Sequence, residues 1–525
     1  MDQYLMAIDA GTGSARVILF DTKGNEVCTS QAEWKHLEDE RYPGSMDFDV
    51  EKNLNIIIAL IKETIGKSGV NPDAIVSVST TSMREAIVLY DENGRELWAC
   101  ANVDSRSENE TAKLNSGNSS LEAEMYSISG QTFSLGAIPR LLWVKNNLPD
   151  IYQQTKYVTM LNDWIIYHLS GILSVEPSNG CTTGLFSLAN RSWEAEIGRK
   201  ANLRDDIFPS VYESGTAVGK ITSKMNALTG LSTETLVVAG GGDAQLACIG
   251  AGIINEGDAA VIGGSFWQYE FTTKKLQMDT ECRVRINCHA IPDTWQYEAI
   301  AFFPGLVMKW FRDSFCDLEK YLQTETNESI YEQMEKKARL VPAGSNGLLC
   351  TFSDTMNYIS WKHAAPGFLN FKLDSARFNK AAFYRAIMEN AAFVTKGNME
   401  LISGITGASP DSIIFAGGAS KSPLWCQIVS DVLNKPVKIP VVRESTALGA
   451  AICAGVGANI YSGFDDAIEK VVAFEKTYYP NKDNHAVYEK LYQKWTRIYK
   501  NQLELADQGL TDHMWIAPGL KESGV

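Results

Sequence analysis

Six short stretches of the 525-residue chain carry the side chains that could do chemistry. In "AGGGDAQ", Ala239 to Gln245, an aspartate follows three glycines. Asp243 there could cap a helix by accepting from its first free N–H groups, or it could sit at a cleft floor and take a proton from a hydroxyl. In "DAGTGS", Asp9 to Ser14, glycines clear space while hydroxyls and N–H groups could face an anion, with Asp9 free to hold a cation. The same residues also suit a plain tight turn. "SMRE" offers Arg84 and Glu85 side by side, either as a surface ion pair or as a donor fork and an acceptor for a polyol. "NVDSR" adds Asp104 and Arg106, which by themselves read as a solvated loop. Two further glycine turns, "GGSFWQ" with Gly264 and Ser265 and "FAGGASKS" with Gly418, Ala419 and Ser422, each follow a run of β-forming residues.

These groups need rigid elements behind them. Leu5 to Ile8 and Arg16 to Phe20 read as strands, and Ala10 to Ala15 is too short for a helical crossover, so an antiparallel hairpin is expected. "AAVIGGSFWQYEFTT", Ala259 to Thr273, repeats the pattern about 250 residues later. "TLVVAGGGDAQLACIGAG" reads as a strand over Leu236 to Ala239, a glycine turn and a helix after Asp243. "SIIFAGGASKSPLWCQIVSDVL" reads as strand, turn and an amphipathic helix with Leu424, Trp425, Ile428, Val429 and Val432 on one face. Helices are also expected at Leu54 to Ile65, Ile138 to Asn146, Asp163 to Leu169, Phe383 to Leu401 and Thr446 to Gly455, and "KWTRIYKNQLELADQGL" reads as a surface helix. The predicted fold class is α/β, with two halves, residues 1–252 and 253–525, each a mixed sheet flanked by helices, and ligands in the cleft between them.

Composition sets outer bounds. With 45% hydrophobic and 21% charged residues, the chain is ordinary globular protein, too long for one core. A formal net charge of −15 without any basic block argues against nucleic acid and anionic membrane as partners. A bound anion would have to be met by backbone N–H groups, isolated arginines or a divalent metal. The ten cysteines are scattered in apolar stretches and read as small buried hydrophobes. "CRVRINCH", Cys282 to His289, lacks a second ligand pair, so no zinc is expected. No secretory pattern or long apolar run is seen, and a cytoplasmic location is expected.

Taken in order, DAGTGS, SMRE, NVDSR, GGGDAQ, GGSFWQ, "GLVMKWFRD", "FAGGASKSPLWCQIVSDVL" and "ESTALGAAICAG" resemble the FGGY carbohydrate kinases of the actin-like, ribonuclease-H-like superfamily, over nearly the whole chain. The resemblance implies two actin-like domains, with ATP and substrate in the interdomain cleft and Mg²⁺ as the metal. Carried over residue by residue, it implies Asp243 as catalytic base. Arg84, Glu85, Asp104, Asp243 and Gln245 would bind substrate. Thr12, Gly13, Ser14 and Arg16 would meet the terminal phosphates, with Gly264 and Ser265 opposite. Gly418, Ala419 and Ser422 would line the base and ribose, and Asp9 would share Mg²⁺ with Asp243. The stretches "SMREAIVLY", "ACANVDSR", "AIPRLLWV" and "WIAPGL" favour, within the family, a short linear substrate, 4,5-dihydroxy-2,3-pentanedione. Many relatives have GTTS where Gly13 stands here, and Trp where Asn102 stands. Rival readings are glycerol, erythritol or a pentulose as substrate, or a non-kinase ATPase switch of the same fold. SMRE and NVDSR speak against the switch, which has no reason to carry them. Some glycerol kinases of the family are controlled by a phosphocarrier protein of the sugar phosphotransferase system, so a partner of that kind is within the resemblance. Oligomeric state is not legible.

Overall fold

Alternating runs of buried apolar residues build two sheets. In the computed structural model, which describes residues 2–117, 121–134, 136–264, 266–301, 303–441 and 444–520, the first sheet has six strands. These are β1 (Tyr4–Ala10), β2 (Ser14–Asp21), β3 (Glu26–Glu33), β4 (Ile75–Ser82), β5 (Ala217–Lys220) and β6 (Leu236–Gly242), in the spatial order β5-β6-β4-β1-β2-β3. β1 to β3 form an antiparallel meander, and β4 and β6 run parallel to β1. Helix α1 (Val50–Ser68) makes the crossover from β3 to β4. It opens on Asp49, whose carboxylate accepts from the N–H of Lys52, and stops at Gly69 in the left-handed region. Its buried Ile57, Leu60 and Ile61 pack on one face of this sheet.

The second sheet repeats the plan. Its strands are β7 (Ala259–Gly263), β8 (Trp267–Thr273), β9 (Arg285–Cys288), β10 (Trp295–Ala301), β11 (Ile413–Ala416), β12 (Val437–Pro440) and β13 (Phe474–Tyr478), in the order β9-β10-β8-β7-β11-β12-β13. Again a hairpin occupies the middle, and two strands parallel to its first strand extend the sheet on one side.

Six helices matter for the site: α1, α2 (Asp243–Gly250), α3 (Lys380–Thr406), α4 (Pro423–Leu433), α5 (Ser445–Gly457) and α6 (Lys482–Asp507). α2 and α5 change sides. α2 follows the first sheet, yet Cys248 and the adjoining Ala251 and Ile253 pack on Ala260 and Ile414 of the second. α5 follows the second sheet, yet Ala447, Leu448 and Ala451 pack on Leu5, Ala7, Ile18 and Phe20 of the first. The Ser77 hydroxyl also donates to the Ala454 carbonyl at 2.8 Å. A division at residue 252 separates the strands of the two sheets, but α5 lies across that line.

Two expectations need correction. The glycines of "AGGGD" do not form a turn: β6 runs through them to Gly242, and Gly240 is needed because β6 presses on β4 there, while Gly241 and Gly242 make room for the side chains of Ser178 and Gln245. A Cβ on Gly240 would lie 1.7 Å from the Thr80 carbonyl oxygen, so no other residue fits there. The helix containing "KWTRIYKNQLELADQGL" is also not purely a surface helix. Tyr488, Trp495 and Tyr499 of α6 are buried, and the Trp495 indole donates to Asn390 Oδ1 on α3 at 2.9 Å. Its lysine-rich face masks a core aromatic stripe.

The α2–α5 crossing is nearly backbone on backbone: a Cβ on Gly449 would sit 2.0 Å from the Leu246 carbonyl oxygen, and one on Gly250 would sit 1.9 Å from that of Ser445. Gly449→Ala is therefore expected to lower stability by about 2–3 kcal/mol, whereas Gly404→Ala on α3, where a Cβ meets nothing within 4 Å, should be neutral or slightly stabilising. Urea denaturation midpoints of the two variants check this, and equal midpoints would refute the tight crossing.

Candidate active site

The hairpin β1–β2 has its turn carbonyls tied from behind. The Trp34 indole N–H lies 3.0 Å from the Gly11 oxygen and 3.2 Å from the Thr12 oxygen, His36 Nε2 is 2.6 Å from the latter, and the Trp34 amide donates to the Gly13 oxygen. Among the described residues no hydrogen bond takes up the amide N–H groups of Thr12 and Gly13, and a Cβ on Gly13 would meet nothing within 4 Å. The turn thus presents free donors to open space. The Thr12 hydroxyl is paired with Asn102, whose amide nitrogen lies 3.1 Å away. Ser14 Oγ has only a 3.5 Å contact to Gln31. Asp9 and Arg16 are register partners, and Arg16 Nη2 is 2.6 Å from Asp9 Oδ2 while its other arm meets Glu444. Burial raises the Asp9 carboxyl above its ordinary range despite Arg16.

At the end of β4 the chain turns sharply because Glu85 has a positive φ of 61°. Adjacent residues in an extended chain diverge, but this turn sends Arg84 and Glu85 into one buried ion network. Arg84 Nη1 is 2.7 Å from Glu298 Oε2, and Arg84 Nε is 3.5 Å from Asp243 Oδ1. Arg285 pairs with Glu85 and lies 3.5 Å from Glu298 Oε1. Burial pushes Glu298 up, but the two guanidiniums outweigh it and hold it below its ordinary value. The neighbouring Glu270, buried against Glu298, goes the other way and stays protonated well above the carboxylate range. Neither surface ion pair nor solvated side chain describes Arg84 and Glu85, which are 6% and 8% exposed.

Asp243 is the first residue of α2, and Gly242 takes the capping position, so the capping role is not realised; the carboxylate accepts from its neighbour Ala244 N–H at 2.7 Å. It lies deep between the halves but keeps 42% of its side-chain surface open to the cleft. Depth beneath the cleft walls pushes it up to about 6, Arg84 opposes, and Glu85 and Asp9 add to the rise. Gln245, two residues further along α2, is wholly buried, and among the described residues neither its carbonyl nor its amide nitrogen has a hydrogen-bond partner.

Gly264, Gly418, Ala419 and Ser422 line one pocket of about 450 Å³ in the second half, together with Gly305, Met308 and Lys309 of "GLVMKWFRD" and with Tyr331, Glu335 and Trp425. Its wall depends on glycine: Gly417 has a φ of 89°, and a Cβ there would lie 2.5 Å from the Gly263 carbonyl oxygen. Ser422 caps α4 by accepting from the Trp425 N–H at 3.2 Å. Ser265 lies outside the described residues. β9, which lies within "CRVRINCH", carries Arg285 into the ion network.

Asp104 is already paired. Its carboxylate is buried and used up by the amide of Met46 at 2.7 Å and by Arg106 Nε at 2.7 Å, and the Arg106 guanidinium lies over Trp143 at 4.9 Å. "NVDSR" is thus a packed loop, not a solvated one. Sequence reasoning also missed Arg140 of "AIPRLLWV". Fully buried, it donates to the carbonyls of Glu85, Asn102 at 2.7 Å and Asp104 at 3.0 Å, fastening three segments at once. Glu298 and Arg285 were missed because "CRVRINCH" was weighed only as a metal site and the strand of Glu298 carries no glycine motif; a charged residue at an inward position of a strand was the available signal.

The FGGY family of carbohydrate kinases matches this chain through its N-terminal domain over residues 4–250 and its C-terminal domain over residues 273–458. Among curated proteins, "Autoinducer-2 kinase" of Escherichia coli (strain K12) is 46% identical over 518 residues, 98% of each chain. That of Photorhabdus laumondii subsp. laumondii is 46% identical over 519 residues, 99% of this chain and 98% of the relative. Among solved structures, xylulose kinase from Rhodospirillum rubrum superposes with a TM-score of 0.84 at 22% identity, covering 96% of this chain and 100% of that one, a likeness of fold.

Arg140 should behave as a clamp. Arg140→Met is expected to destabilise by about 2–4 kcal/mol, since three buried carbonyls lose a charged donor, and Arg140→Lys should recover little because one ammonium cannot span them. Thermal and urea unfolding of both variants check this; a Lys variant as stable as wild type would refute the three-way clamp.

Proposed function

The chain belongs to the FGGY family of carbohydrate kinases, and we propose that it transfers the γ-phosphoryl group of ATP to the primary hydroxyl of autoinducer-2 in its linear form, 4,5-dihydroxy-2,3-pentanedione. The observation that carries the reading is the Asp243 carboxylate, open to a cleft whose one side offers unpaired hairpin amides and whose other side carries a nucleotide-sized pocket. The near full-length likeness to autoinducer-2 kinases supports the choice of acceptor. No described helix is long and apolar enough to cross a membrane, in keeping with a small polar substrate.

Each step follows from placement. The base and ribose of ATP occupy the pocket at Gly418, Ala419 and Ser422, where glycine lets backbone approach the rings closely, with Gly264 toward the terminal phosphates. The phosphates extend toward Thr12 and Gly13, whose N–H groups donate without bringing charge, with Ser14 and Arg16 beside them. Arg84 and Glu85 hold acceptor oxygens, a fork donating and a carboxylate accepting, and the unpaired amide of Gln245 is available to a further oxygen. Asp243 takes the proton of the primary hydroxyl as that oxygen attacks phosphorus in line; the bond to the β-phosphate oxygen breaks and ADP leaves. A carboxylate raised to about 6 is ionised at neutral pH yet basic enough to accept that proton. Asp9 and Asp243 offer the hard oxygen donors that Mg²⁺ takes when it is held by one or two carboxylates plus substrate phosphates, and among the described residues no larger ligand cluster competes. Bound there, Mg²⁺ supplies positive charge to the phosphoryl oxygens, which an acidic chain otherwise lacks.

Asp243→Asn is expected to cut kcat about a thousand-fold with the affinity for ATP nearly unchanged, because its work lies in the transition state. Turnover and equilibrium nucleotide binding, measured on the same preparation, test this; wild-type turnover would remove Asp243 from the role. Mass spectrometry of the product from dihydroxypentanedione and ATP should show one added phosphoryl group. A coupled-ADP panel in which glycerol, erythritol or a pentulose is turned over far faster would reassign the acceptor.

A further inference from the structure

Two charges that meet Arg84 and Glu85 come from the opposite half of the chain. Arg285 on β9 and Glu298 on β10 are direct cross-strand partners, so their side chains leave the second sheet on the same face. That face meets the end of β4. The result is an alternating series, Asp243, Arg84, Glu298, Arg285, Glu85, in which Arg84 is 2.7 Å from Glu298 but 3.5 Å from Asp243. Gln131 closes the end of the series, its carbonyl accepting from Arg285 Nε at 2.8 Å.

Ion pairs as buried as these gain little stability over apolar residues of similar volume. What they supply is orientation. Two arginines face two glutamates, so Asp243 is left with the weakest share of Arg84. Without Glu298, the nearest anion for the Arg84 guanidinium is Asp243. Without Arg285, the Glu85 carboxylate loses its ionic partner and is free to leave the acceptor side.

We propose that Glu298 and Arg285 are positioning residues of the acceptor site, Glu298 holding Arg84 off Asp243 and Arg285 holding the Glu85 carboxylate toward the cleft. The inference rests on the acceptor role proposed above for Arg84 and Glu85. It makes acceptor recognition a property of both halves, although the residues that meet the acceptor belong to the first.

Steady-state kinetics with dihydroxypentanedione and ATP test it on the full chain. Glu298→Gln, nearly isosteric, should raise the acceptor KM about tenfold or more while the ATP KM stays within about twofold, and Glu298→Asp should recover part of the loss. Because Arg285→Gln by itself strands two buried carboxylates, the double variant Arg285→Gln/Glu85→Gln provides the second arm. It should be no worse in acceptor KM than Glu85→Gln alone, since each removes the same interaction. Losses that multiply in the double variant, or an unchanged acceptor KM in Glu298→Gln while Glu85→Ala raises it, would overturn the positioning role alone. An unchanged acceptor KM in Glu85→Ala would instead overturn the acceptor reading, and this inference with it.

Discussion

Close contact between two backbones at the α2–α5 crossing governs the rest of the molecule. Gly250 and Gly449 let two helices touch where any side chain would collide, and each helix then covers the sheet of the other half. The halves are joined by exchanged helices and not merely by a linker. α2 begins at Asp243, so the same crossing sets where the candidate base sits relative to both sheets. A shift of α2 would move the carboxylate, the hairpin turn and the pocket out of reach of one another, which is why small residues are concentrated there instead of bulky apolar ones.

The second constraint is electrostatic. The chain carries a net charge of −15, yet its proposed chemistry gathers polyanions. The structure answers locally: neutral amides at the hairpin turn, and Arg84 and Arg285 sunk in the cleft floor, each matched to a carboxylate. Such matching keeps desolvated charges tolerable, and it leaves one carboxylate, Asp243, with an incomplete share and a path to solvent. A proton acceptor arises from the imbalance within an otherwise balanced network.

Much of this plan was legible in the chain. The β1–β2 hairpin, its counterpart at β7–β8 and the helices α1, α3, α4 and α5 follow from runs of β-formers around glycine and from apolar residues at helical spacing, and the observed elements differ from the expected ones mainly at their ends. Four of the residues expected at the nucleotide, Gly264, Gly418, Ala419 and Ser422, come together in one pocket. Errors arose where a residue's reason lay outside its own segment. Gly240 to Gly242 read as a turn because glycine usually means one; here Gly240 yields to a neighbouring strand beside a register shift, and the next two glycines yield to the side chains of Ser178 and Gln245. Asp104 and Arg106 read as solvated because charges in a loop usually are; here Arg106 lies over Trp98 and Trp143 and holds Asp104 beside it.

Local pattern by itself determined the two-half α/β plan and the glycine turns of the β1–β2 and β7–β8 hairpins, because strand and helix periodicity and backbone sterics act over a few residues; the choice of Asp243, Arg84 and Glu85 as site residues came from the resemblance to the FGGY kinases. Only the tertiary structure decided that Arg285, Glu298 and Arg140 complete that neighbourhood, that α5 lies on the sheet of the other half, and that Arg84 favours Glu298 over Asp243. Those outcomes depend on which face of a distant strand meets the cleft, and on distances of a few tenths of an ångström between buried charges. Neither quantity is encoded in the spacing of residues along one segment.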